Sequence, residues 1–150
     1  MKLNGREYYV DETGRVCIED EEWFSAGKFY HGYALVLSRE VDYHVMFIDR
    51  QGNHAFDRVF PRAGSFRNGV APVQIDQLWG AINLRGELCC EAKYEELDTT
   101  LSDLLRAKLN GKYGYISQSG EWVLDPVYHY AGEVCGELCK VRVSDDWKRA

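Results

Sequence analysis

Short runs of apolar residues along this chain are interrupted at regular intervals by a polar turn that closes on glycine. The turn glycines are Gly14, Gly52, Gly86 and Gly120, spaced by 38, 34 and 34 residues. Four residues before each stands a β-branched apolar residue: Val10, Ile48, Ile82 and Ile116. Three before stand Asp11, Asp49, Asn83 and Ser117, whose short polar side chains bond to nearby backbone and start turns. Glycine then takes the positive φ that closes a hairpin. The apolar run resumes at Cys17-Ile18, Ala55-Phe56, Cys89-Cys90 and Val123-Leu124. An acid follows every time, at Glu19, Asp57, Glu91 and Asp125, and an aromatic slot after it holds Phe60, Tyr94 and Tyr128. Trp23 fits that slot in the first copy if one residue is inserted.

A later segment supplies a third strand. Ala34, Ala71, Ala107 and Cys139 form a small-residue slot, and Val36, Val73, Leu109 and Val141 stand two residues beyond it. This alternation predicts a strand with one buried face. The expected fold is all-β: four tandem three-stranded antiparallel units of about 34–38 residues, in a single domain spanning residues 1–150. One unit cannot bury its apolar face alone, so neighbours must share a core. The chain starts inside one unit and ends after the first strand of another. Pairing of Glu7–Val10 with Val141–Val143 would close a propeller-like ring, and an open twisted stack is the alternative. The third copy breaks the pattern at residues 98–106. Its capping-type start, with Leu101, Leu104 and Leu105, marks a candidate short helix near 99–106.

Composition narrows the class. The chain has 150 residues, 45% of them hydrophobic and 28% charged, which suits a folded domain with a real core. Ten tyrosines and four tryptophans favour pleated surfaces on which large rings pack. No apolar run reaches the length of a membrane span or an export signal, so a cytoplasmic protein without membrane association is expected. The formal net charge of −6 disfavours nucleic acid, whose phosphates require cations, and suits a basic protein partner. The acids concentrate at residues 19–22, at Glu95-Glu96 with Asp98, and at Asp145-Asp146.

Trp79-Gly80-Ala81-Ile82-Asn83-Leu84-Arg85-Gly86 resembles the core motif of the bacterial WG-repeat family. Lys112-Tyr113-Gly114-Tyr115-Ile116-Ser117-Gln118-Ser119-Gly120 is similar to it with Tyr for Trp. Two further stretches, Phe29–Val36 and Phe66–Val73, resemble the family's F-x-x-G-x-A-x-V segment. The resemblance covers nearly the whole chain. It implies a β-repeat module that binds or scaffolds, and it carries no catalytic residues with it. Only one copy keeps a literal Trp-Gly pair, and the third lacks the aromatic-x-x-Gly signal.

The polar residues do not assemble into a recognisable active site. Cys17, Cys89, Cys90 and Cys139 occupy slots that are apolar in other copies, so they read as small buried hydrophobes, and Cys135 alone reads as a partly exposed thiol. Their spacing is not that of paired zinc knuckles. His31, His44, His54 and His129 form no motif. Trp23, Trp122 and Trp147 are the rings most free to reach a surface. The expectation is therefore a non-catalytic module without cofactor or metal, an acidic inhibitor or immunity protein that neutralises a basic toxin or nuclease domain. Its candidate partner-binding residues are Asp20, Glu21, Glu22, Glu95, Glu96, Asp98 and Asp103. A small-molecule or carbohydrate-binding module is the alternative, and an enzyme built on an unrecognised Cys, His or Asp site is a third reading.

Overall fold

The computed structural model describes residues 2–3, 6–19, 23–38, 44–135 and 138–143. These residues form sixteen strands and no helix. All strand pairs are antiparallel. The first sheet is β1 (Lys2–Leu3), β2 (Arg6–Val10) and β3 (Val16–Glu19). The second is β4 (Trp23–Tyr30), β5 (Tyr33–Ser38), β6 (Val45–Ile48) and β7 (His54–Phe60). The third is β8 (Val70–Ile75), β9 (Leu78–Asn83) and β10 (Leu88–Tyr94). The fourth is β11 (Glu96–Thr99), β12 (Leu105–Leu109), β13 (Lys112–Ile116) and β14 (Trp122–Tyr128), and β15 (Tyr130–Cys135) pairs with β16 (Leu138–Arg142). The chain divides into two compact units, Met1–Phe66 and Arg67–Ala150.

The four glycine turns share one geometry. Gly14, Gly52, Gly86 and Gly120 all have φ between 79° and 90°. Each donates its N–H to the carbonyl three residues back at 3.0 Å, on Asp11, Asp49, Asn83 and Ser117. Those same residues receive further amides on their side chains. Asp11 Oδ1 accepts from Thr13 and Arg15, Asp49 Oδ1 from Gln51 and Asn53, and Asn83 Oδ1 from Arg85 and Glu87. Ser117 Oγ accepts from Glu121 at 3.2 Å. The short polar residue expected to start each turn does so by satisfying the backbone donors that the bend exposes.

Three features differ from the sequence expectation. First, an additional strand precedes the small-slot strand, as β4, β11 and β15. β10 and β11 are separated only by Glu95, and β14 and β15 only by His129, so a nearly continuous strand passes from one sheet to the next. In the second copy Pro61 follows β7 directly, and the corresponding segment is reduced to isolated bridge residues at Ala63 and at Arg67, the latter opposite Val70. Second, the candidate helix near 99–106 is absent. Thr100 Oγ1 donates to the Leu104 carbonyl at 2.7 Å and accepts from the Ser102 amide, while Ser102 Oγ accepts from the Leu104 amide. Hydroxyls that compete for backbone groups hold a tight loop where a helix would need those groups for itself. Third, the register of the third copy is offset from the motif alignment. Ala34 and Ala71 lie opposite Ile48 and Ile82, but Leu105 lies opposite Ile116, and Ala107 opposite Gly114. Leu105 therefore fills the small slot, and Ala107 corresponds to Val73.

Neighbouring sheets share cores, as a repeat requires. Val70, Ala81, Cys90, Tyr94, Leu97, Leu105, Ala107 and Ile116 form one cluster, with Trp79 and Trp122 packed on it. Tyr115, Ala131 and Val134 form the next, with Leu124 and Val141 beside them. In the N-terminal unit Ala34, Val36, Met46 and Ile48 pack with Tyr9, Ile18 and Phe29, and Phe47 contacts Phe56, Phe60 and Phe66. β2, the strand expected to close the array, is flanked by β1 and β3 in its own sheet.

Candidate functional site

The acidic stretch that follows β10 is held within its own sheet. Asp98 pairs with Arg106 at 2.7 Å, and Glu96 pairs with Lys108 at 3.2 Å and accepts the Tyr113 hydroxyl at 3.0 Å. Glu95 Oε1 accepts the Gly111 amide at 3.1 Å. The geometry follows from antiparallel register, which places Glu96 opposite Lys108 and Asp98 opposite Arg106. Arg106 also donates to the Ala131 carbonyl at 2.9 Å, so its guanidinium ties the fourth sheet to β15. Asp103 is exposed on the Thr100–Leu104 loop. Asp20, Glu21 and Glu22 lie outside the described residues, as do Asp145, Asp146 and Trp147.

Other acids of the C-terminal unit face solvent without an ion pair among the described residues. They include Glu91 on β10, Glu121 beside the fourth turn, and Asp125 on β14. β14 is the edge of its sheet, paired to β13 on one side. Its outward residues are Val123, 53% exposed, then Asp125, then Val127, 58% exposed. Pro126 removes one amide from this edge, which limits pairing with stray strands. The alternate residues Trp122 and Leu124 turn inward, onto the two cores of this unit. β14 thus presents an apolar–acidic–apolar stripe on a sheet margin.

A cleft of about 380 Å³ opens between β10 and the fourth turn, lined by Leu88, Cys89, Glu91, Lys93, Tyr94, Ser119 and Gly120. Tyr94 is fully buried, and its hydroxyl has no hydrogen-bond partner. Burial, the largest influence, raises its pKa, so the group stays a neutral phenol. A register shift between Leu88 and Cys90 bulges β10 at Cys89, which is half-buried at the cleft wall, whereas Cys90 is enclosed in the core. The sequence reading assigned all four repeat-slot cysteines to the core, and this holds fully for Cys90 alone. Cys17 is exposed because the inward position on β3 belongs to Ile18, and Cys139 is half-buried. The side chain of Cys135 lies outside the described residues, as does that of Trp23. A pair of adjacent cysteines on a strand was the available signal, since alternation rarely buries two neighbours together.

The remaining sequence candidates stay dispersed. His129 Nε2 lies 3.2 Å from Lys112 Nζ, and His31 occupies the first position of a turn at φ 53°. Among the described residues, no three His, Cys, Asp or Glu side chains converge as metal ligands would. Trp79 and Trp122 pack on the core, Trp122 edge-on to Tyr94 at 5.8 Å, and so do not line an open groove. No helix among the described residues is long and apolar enough to cross a membrane.

No curated protein matches the chain. The family model for the WG containing repeat matches three consecutive segments, residues 46–79, 79–113 and 113–147. The matched segments begin on the strands β6, β9 and β13 or at their edges, in phase with the repeated turn, and together they span more than half of the chain. The first copy read from the sequence lies before the matched region. With repeat period, turn geometry and shared cores agreeing with the match, the chain belongs to the WG-repeat family, as a β-repeat module.

Proposed function

We propose that this protein is a non-catalytic binding module acting in the cytoplasm on a basic protein, and that in its specific form it neutralises a basic toxin or nuclease domain. The observation that carries the reading is the exposed stripe Val123–Asp125–Val127 on the open edge of β14, flanked by the exposed Glu121. Apolar residues alternating with free acids on a sheet margin give a partner both area to bury and charge to steer by. The net charge of −6 supports the sign of that partner. Glu95, Glu96 and Asp98 contribute less to docking than to the sheet, because each already has a partner in it.

The test is association kinetics against a panel of basic nuclease toxin domains across a salt series. The expected rate falls by about tenfold or more from low to high salt, since long-range attraction is screened. Asp125→Lys combined with Glu121→Lys lowers the association rate without changing the fold. Asp98→Lys acts through stability, by opposing Arg106. Salt-independent association, or an unchanged rate in the β14 double variant, would remove the assignment.

A further inference from the structure

The sheet of β15 and β16 has two faces, and they differ in cover. Ala131, Val134, Cys139 and Val141 pack with Tyr113, Tyr115 and Leu124 of the fourth sheet. The alternate residues of β16, Leu138, Lys140 and Arg142, belong to the opposite face and are exposed, as is Tyr130 across from Arg142. Earlier copies treat these positions otherwise. Ala131–Val141 is the counterpart of the Leu97–Ala107 pair, so Leu138, Lys140 and Arg142 correspond to Leu104, Arg106 and Lys108. In the third sheet the same positions hold Val70, Pro72 and Gln74. All of these counterparts are buried or half-buried, and Val70 and Leu104 join cores shared with the following sheet. Leu138 is 78% exposed where Val70 is 4%.

The cations differ in the same way. Arg106 and Lys108 pair with Asp98 and Glu96 of β11. Opposite Arg142 stands Tyr130, in the place that Glu96 takes opposite Lys108. Glu133, the acid of β15, accepts the Leu101 amide at 3.0 Å instead. Lys140 and Arg142 therefore have no ion pair among the described residues. An interior-type face is left open with a leucine, a tyrosine ring and two unpaired cations, on a chain whose net charge is −6. Whatever covers it must bring carboxylates and apolar area together.

We infer that this face binds a second copy of the chain, which docks the Val123–Asp125–Val127 stripe of its β14 there. The stripe carries what the face lacks: Asp125 and Glu121 are exposed acids without an ion pair among the described residues, set beside exposed Val123 and Val127. The two patches adjoin on one chain. Only His129 separates β14 from β15, and its N–H donates to the Arg142 carbonyl at 2.8 Å. Adjacent patches of opposite sign suit a two-fold dimer, in which each copy offers its stripe to the other's face and the contact is made twice. Leu138 and Tyr130 receive the valines, while Lys140 and Arg142 receive Asp125 and Glu121. The inference rests on the β14 stripe of the functional reading and goes beyond it: the dimer covers that stripe, so a basic partner must displace the second copy.

The test is sedimentation velocity on the full chain across a dilution series at low and high salt. The expected species at low salt and high concentration has twice the mass of one chain. High salt weakens its dissociation constant by about tenfold or more. Lys140→Glu with Arg142→Glu, and separately Asp125→Lys with Glu121→Lys, each leave a monomer. These side chains are exposed, and circular dichroism checks that both variants keep the fold. Mixing the two variants restores a dimer, because the reversed charges meet in both contacts. A wild-type monomer at every concentration would overturn the inference and leave the basic-partner reading standing. A dimer indifferent to salt or to Lys140→Glu with Arg142→Glu would also overturn it, as would a mixture that stays monomeric. A dimer with the expected charge-swap rescue, but with no basic domain bound by the chain, supports the inference and removes the basic-partner reading alone.

Discussion

At Gly80 an added Cβ would lie 2.5 Å from the Cys90 carbonyl oxygen, and at Gly114 it would meet the Leu124 carbonyl. Both glycines stand where the partner strand bulges, shown by register shifts between Cys90 and Tyr94 and between Tyr113 and Tyr115. The backbone of one strand presses on the next, and only a residue without a side chain accommodates it. Gly80→Ala or Gly114→Ala should each lose roughly 2–3 kcal/mol in urea denaturation, because backbone rather than a flexible side chain must yield. The same slot holds Met46 in the second copy and Tyr8 in the first. The residue behind the literal family motif is thus a local packing requirement, and copies with another partner geometry dispense with it.

The turns and loops decide the elements. Two-residue hairpins at His31-Gly32 and Asn110-Gly111 have both central residues at positive φ, with glycine second, as does the Asn68-Gly69 bridge turn. Asp76-Gln77 joins β8 to β9 in the same way, but with Gln77 at φ 72°. Gln77→Gly should therefore stabilise the protein by about 1 kcal/mol, seen as a higher urea midpoint with unchanged slope. The Asn110-Gly111 turn also explains why the motif alignment of the third copy was offset. Counting from that turn places Leu105 and Thr100 where Ala71 and Phe66 stand in the preceding copy, whereas matching by the small residue selects Ala107. Thr100 occupies a buried aromatic slot, 2% exposed, and is tolerated because its hydroxyl serves Leu104 and Ser102. Thr100→Val should cost about 1–3 kcal/mol in the same assay, since it leaves those backbone groups unpaired.

At the scale of the molecule, the two cores built around Tyr94 and Tyr115 draw all their residues from Arg67–Ala150. A chain of residues 67–150 should therefore fold by itself, because each of its sheets has a neighbour to cover it. Circular dichroism and a cooperative urea transition would check this, and a non-cooperative transition would count against it. The charge balance belongs to this scale as well. A net −6 is a property of the surface field, while ion pairs such as Asp98–Arg106 and Glu96–Lys108 withdraw particular acids from it.

The three strands of each unit, their antiparallel pairing, the turn positions and the sharing of cores were legible in the sequence by itself, whereas the additional strands β4, β11 and β15 were not. Each depends on short-range rules: alternation of two, a polar residue that caps its own turn, and glycine at positive φ. The repeat made these rules readable four times over. Tertiary structure decided what depends on which backbone lies opposite. It replaced the expected helix near 99–106 with a hydroxyl-held loop. It paired Glu96 and Asp98 with cations across a ladder, and it put Cys89 at a cleft beside a buried Cys90. A strand's own residues specify that it has two faces. Only its bulges and its neighbours determine which side chains meet across them.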